Sequence, residues 1–204
     1  MAGTRVYIER GERWAFAVCL DWPGWCRRAR GAGAAIEALD SYRERYSRIA
    51  GTDLGPTSFD VLDTLTGNTT TDFGAPSAIW PGDEAPLDDA ARARLLSLLE
   101  RNWAYLDAVA LKSPSTLLKG PRGGGRDRDA VLDHVREAER HYAAKVGLRV
   151  APRTAWSHQR AVLLDTLRQG APASWPAPYA IRRIAWHVAD HAWEIEDRDP
   201  GSPG

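Results

Sequence analysis

The chain has 204 residues, 44% of them hydrophobic, enough for one medium core or two small ones. Lys+Arg and Asp+Glu balance at 27 each, which excludes a global electrostatic pull toward nucleic acid or an anionic membrane. No apolar run reaches the roughly 18 residues of a membrane span. The opening "MAGTRVYIER" lacks a basic-then-apolar signal, and two cysteines, Cys19 and Cys26, are too few for a disulfide framework, so a reduced cytoplasm is the expected compartment.

Residues 5–50 read as a small α/β unit. Val6-Tyr7-Ile8 is a short predicted strand, the residues around Gly11 carry turn chemistry, and "WAFAVCL" is an apolar run of strand length. Pro23-Gly24 in "DWPGW" breaks the run. In "GAAIEALDSYRERYSRIA", Ile36, Leu39, Tyr42 or Arg43, Tyr46 and Ile49 recur at helical spacing, and Gly51 stops the helix. Residues 52–86 are rich in Gly, Pro and Thr, with one predicted strand in "SFDVLDTL".

From Leu87 the texture turns helical. "LDDAARARLLSLLERNWAYLDAVAL" opens on acids, as the helix dipole favours, and places Leu95, Leu98, Leu99, Leu106 and Val109 on one face. "RDAVLDHVREAERHYAAKVG" ends on Gly147. "RTAWSHQRAVLLDTLRQG" runs from a Thr154 cap to Gly170. "RRIAWHVADHAWEIEDR" closes the set, followed by a tail expected to be mobile at 200–204. Four helices with modest connections predict a four-helix bundle. The fold class expected is α+β, divided into 1–86 and 87–199.

The chain has five histidines. His187 and His191 are four apart, hence about 40° apart in helical projection and neighbours on one face. Ile184, Val188 and Ile195 share that half of the helix, so the pair is expected to face the interior, with Glu194 on the edge of the stripe. Trp186 and Trp193 fall nearly opposite, where another domain or partner is expected to cover them. His134 lies beside Val131 and Val135 on the second helix, with His141 two turns on, and either can meet the pair across the core. Three converging neutral imidazoles suit a divalent transition metal with open positions for water or substrate. A polar core cluster is the plain alternative.

With these pieces in view, residues 87–199 resemble the DinB superfamily, on "DHVREAERHYAAKVG" and on "AWHVADHAWE" with its H-x3-H. The resemblance implies a metal held by His134, His187 and His191, with zinc or nickel foremost and iron in some relatives. It also implies activation of a low-molecular-weight thiol, or of water, for transfer to an electrophilic small molecule. "WAFAVCLDWPGWCRRARGAGAAIEALDSY" resembles the HicB-like antitoxin fold more weakly, through its Pro-Gly turn and Glu37-Ala38-Leu39. That resemblance leaves open a non-catalytic protein-binding module. An iron-dependent oxidative enzyme and a homodimer also stay open.

Other residues carry secondary expectations. Glu137 and Glu194 are carboxylates near the histidines, candidates to orient a ligand or transfer a proton. "KGPRGGGRDR" leads into the His134 helix, where Arg122, Arg126 and glycine amides suit an anionic substrate group. His158 reads as a surface residue. Asp72-Phe73-Gly74 lacks every companion of a kinase site. Cys19 and Cys26 read as small hydrophobes before a redox pair. Arg27, Arg28 and Arg30 read as a solvated basic turn.

Overall fold

The computed structural model describes residues 3–56, 58–120, 125–170 and 173–201. Residues 121–124, which include Arg122, and the last three of the tail lie outside the described residues.

Four strands form one mixed sheet: β1 (Thr4–Arg10), β2 (Ala15–Cys19), β3 (Cys26–Ala29) and β4 (Phe59–Thr66), in the order β3-β2-β1-β4. β1 pairs antiparallel with β2, β2 antiparallel with β3, and β1 parallel with β4. β1 and β2 are apolar on both sides because both sides are covered. Val6, Ile8, Ala15, Ala17 and Cys19 belong to one core, and Tyr7, Phe16 and Val18 to another.

β3 corrects the reading of Arg27 and Arg28 as a turn, although Arg28 is exposed as that reading expects. They alternate along an edge strand, and aromatic residues distant in sequence receive them. The Arg27 guanidinium lies 3.8 Å from the Tyr42 ring centre, and that of Arg28 lies 5.0 Å from Trp14.

Two helices follow, α1 (Ala32–Ser41) and α2 (Arg43–Ala50), where periodicity predicts one. The chain turns at Tyr42, whose ring meets Trp193 edge-on at 4.9 Å. A tertiary aromatic contact thus overrides a continuous helical pattern. Gly51 ends α2 in the left-handed region, as expected. A short helix, α3 (Thr69–Phe73), is set by Asn68 and Thr71 in a reciprocal capping box. Asp72 accepts the backbone N–H groups of Glu12 and Arg13, so this acid holds the β1–β2 turn.

The four long helices are α4 (Asp89–Lys112), α5 (Arg128–Lys145), α6 (Trp156–Gln169) and α7 (Ala177–Asp197). Asp88 caps α4 by accepting from Ala91 N at 2.7 Å. α6 starts after Ala155 rather than at a Thr154 cap, because Thr154 is engaged in a turn closed by its own N–H to Ala151 O. One apolar core joins the four helices, from Leu95, Leu99 and Leu106 through Val131 and Val135 to Leu163, Ile181, Ile184 and Val188.

α7 is buried continuously from Pro178 to Ala189. Ala189 and Trp193 join the core beneath α1 and α2, and Trp186 packs against Phe16 at 6.2 Å. The cover expected over the two tryptophans is therefore the chain's own sheet unit. The Pro23-Gly24 turn fits tightly here. Gly24 has φ 100, and a Cβ on it would collide with Asn102 Oδ1 and crowd Ala185 O. Asn102 Nδ2 in turn donates to Pro23 O at 3.1 Å.

A buried carboxylate ties three of the long helices. Glu139 on α5 is fully buried and accepts Trp103 Nε1–H from α4 at 2.7 Å and Trp156 Nε1–H from α6 at 2.6 Å. Arg160 Nε stands 3.5 Å away. Burial pushes the Glu139 carboxyl above the usual range, opposed by Arg160 and the indoles. Glu139→Ala would strand two indole donors while Arg160 keeps its pairing with Asp107, and is expected to cost about 2–4 kcal/mol in urea unfolding. Glu139→Gln keeps one acceptor and is expected to fall between the wild type and the alanine variant.

Candidate metal centre

The three histidines of the expected set converge on one point. α7 presents His187 and His191 from successive turns, and α5 packs against it with His134. The His134 ring centre lies 5.1 Å from that of His187 and 5.0 Å from that of His191, and the α7 pair are 4.5 Å apart. One nitrogen of each lies within 4.8 Å of the other two. Small side-chain rotations bring such donors to the 2.0–2.1 Å of a metal–imidazole bond.

Burial lowers the basicity of His187 and His134, which favours the neutral form that offers lone pairs. His187 is 7% exposed, and its basicity is held well below the usual histidine range, first by desolvation and then by His191 and His134. His134 shifts the same way for the same leading reason, with His191 and Arg126 adding to it. His187 Nδ1 is buried with no hydrogen-bond partner among the described residues. An orphaned buried imidazole nitrogen is costly unless something binds it.

His191 is oriented differently. Its Nδ1 lies 2.7 Å from Glu194 Oε2, a contact that fixes an Nδ1–H tautomer and leaves the Nε2 lone pair free. Arg198 Nη1 holds the other carboxylate oxygen of Glu194 at 2.8 Å. The hydrogen bond to His191 keeps the Glu194 carboxyl below the usual range, helped by Arg198. Glu194 is therefore an ionised positioning group at neutral pH.

The other expected residues are scattered. Glu137 is exposed and its carboxylate pairs with Arg140 at 2.9 Å, away from the cluster. Arg126 is exposed just ahead of α5, and its charge acts on His134 and His187. Arg122, its expected companion, falls outside the described residues. His141 is exposed and turned back on its own helix, with Nδ1 2.7 Å from Glu137 O. His158 is exposed on α6. Both cysteines are free and buried, and desolvation pushes the Cys19 thiol up to about 12 and the Cys26 thiol well above its usual value. Such thiols stay protonated and inert at neutral pH.

A cleft of about 720 Å³, within the range of small-molecule sites, shares Glu194 with the cluster, although none of the three histidines lines it. Trp186, Asp190 and Glu194 of α7 form one wall, Arg27 and Arg28 of β3 another, and Lys119 part of the rim. Sequence reasoning did not find this cleft, because it joins an edge strand and a helix more than 150 residues apart. It also passed over Arg183, although Arg183, His187 and His191 form one i, i+4, i+8 stripe.

Depressed histidine basicity carries a stability signature. Unfolded His187 and His134 take up protons near pH 6.5, which the folded imidazoles bind only at lower pH. The unfolded state therefore binds more protons in that window, and stability of the metal-free protein is expected to fall as pH drops below about 6.5. A second decline should set in below the ordinary carboxylate range as Glu194 protonates. Urea midpoints measured from pH 8 to pH 2.5 test this, and His187→Gln should flatten the first decline. Comparison of the chain with protein-family models, with curated proteins and with solved structures finds no match, so the reading of this centre rests on its own geometry.

Proposed function

We propose that the protein is a metal-dependent member of the DinB-like bundles. In this reading His134, His187 and His191 hold one divalent ion, and a small thiol or water is activated for transfer to an electrophilic small molecule. The observation that carries the reading is the convergence of three imidazoles from two helices, one of them with an orphaned buried nitrogen. Three nitrogen donors suit zinc or nickel first, with iron also compatible. The ion would supply Lewis acidity that lowers the pKa of a bound thiol or water toward neutrality.

The chain's own groups do the rest. Glu194 Oε2 keeps the proton of His191 on Nδ1, and Arg198 holds Glu194 in place. Burial disfavours protonation of His187. The cleft lined by Trp186, Asp190 and Arg27 admits the electrophile, with aromatic and charged walls to orient it. The N-terminal unit, HicB-like in this reading, forms the far wall of that cleft and covers Trp186 and Trp193.

Elemental analysis of protein purified without a metal-binding tag tests the proposal. About one ion per chain is expected in the wild type, and none in His187→Ala. Glu194→Ala should weaken affinity by about 10–100-fold while the fold persists, because it frees the tautomer of His191 without removing a ligand. Protein that takes up no zinc, nickel or iron after reconstitution would exclude the metal centre.

A further inference from the structure

The cleft along α7 carries charges of both signs, and they do not balance. Each acid that lines it is already engaged. Asp190 Oδ1 accepts from Arg27 at 2.9 Å, Asp197 Oδ1 accepts from Arg45 at 2.7 Å, and Glu194 is divided between His191 and Arg198. Two cations of the same lining have no carboxylate partner among the described residues. Lys119 is exposed on the rim, and Arg28 Nη1 donates at 2.9 Å to Gly74 O, a neutral acceptor.

The buried part of the lining repeats the imbalance in hydrogen bonds. Arg198 is 8% exposed and Trp193 is 1% exposed. Arg198 Nε donates to Leu118 O and Nη1 to Glu194 Oε1, each at 2.8 Å. Both acceptor residues line the cleft, so the guanidinium is part of its wall. The remaining nitrogen, Nη2, is buried with no acceptor among the described residues, and Trp193 Nε1 is in the same position. Buried donors are rarely left empty, because each forfeits its bond to water. The cleft thus has a surplus both of positive charge and of N–H groups.

Its apolar part is aromatic. Phe16 and Trp186 are buried, pack edge-on at 6.2 Å and both line the cleft. An inorganic ion would leave that wall unused and most of the roughly 720 Å³ unfilled. A flat ring bearing an acid uses both features.

We propose that this cleft is the binding site of an aromatic carboxylate. The ring system lies against Phe16 and Trp186, and the carboxylate answers the unpaired charges of Arg28 and Lys119 and the free Nη2 of Arg198. The inference rests on the reading of this cleft as the electrophile's site and adds the ligand class to it, but it needs no ion at the histidines.

Calorimetric titration of metal-free protein therefore tests it separately from the metal centre. The probes are 2-naphthoate, its uncharged isostere 2-naphthamide, and acetate, which keeps the charge without the ring. The wild type is expected to bind naphthoate at least about tenfold more tightly than either of the others. The double variant Arg28→Gln, Lys119→Gln changes two exposed side chains, and circular dichroism reports that it is folded. It is expected to bring acid and amide within about threefold of each other. Equal affinity for acid and amide in the wild type overturns the inference, as does acetate binding as tightly as naphthoate. A preference for the acid that survives in the double variant overturns it too, as does the absence of binding by any probe. Failure of the protein to take up zinc, nickel or iron overturns the metal centre and leaves the naphthoate result standing.

Discussion

Continuous burial of α7 is the constraint on which the rest of the structure depends. Twelve successive residues, Pro178 to Ala189, have no exposed side. An ordinary surface helix needs only an apolar stripe, whereas this one must satisfy a full circumference. Its apolar residues do so by joining all three cores: Ile184 and Val188 among the long helices, Ala189 and Trp193 under α1 and α2, and Trp186 against the sheet. Its polar residues are removed from bulk solvent, where a specific partner offsets the cost of burial. That requirement brings Asp83 to Arg182, aromatic rings to Arg183, and His134 to the α7 histidine pair.

His134 is placed by a separate device on the opposite side of its helix. Glu139 lies little more than one turn further along α5 and faces away from α7, toward α4 and α6. Two indole N–H groups from those helices converge on its carboxylate. Such an arrangement is directional where apolar packing is not, so it fixes both the height and the rotation of α5. Rotation matters most, because the His134 ring meets two other rings at about 5 Å. A turn of the helix by one residue's worth, about 100°, would remove the third donor altogether. The buried acid and the histidine cluster are thus two ends of one positioning scheme.

The long helices and the inward histidine pair were legible because both signals are local. Leu95, Leu98, Leu99, Leu106 and Val109 repeat on one face of α4, and all are buried. His187 and His191 are four apart on a helix whose apolar residues mark the inner side. What escaped reading was non-local. β3 is four residues with two adjacent arginines, and it becomes a strand only because β2 pairs with it and Tyr42 and Trp14 receive the side chains. The break at Tyr42 answers to Trp193, about 150 residues away in sequence. The identity of the cover over Trp186 and Trp193 was hidden for the same reason, since periodicity shows which face is covered and never by what.

The charge balance of the centre follows from these placements. Three imidazole ligands contribute no negative charge. Glu194, the carboxylate in contact with a cluster histidine, is already balanced by Arg198. Arg126 and Arg183 add positive potential that lowers the basicity of His187 further. A divalent ion among these groups would stand in strongly positive surroundings. Neutral ligands such as water or an alcohol do little to offset that charge, whereas a thiolate or a carboxylate does so directly. The positive field that adds to desolvation in lowering the basicity of His187 would therefore favour an anionic ligand on such an ion over a neutral one.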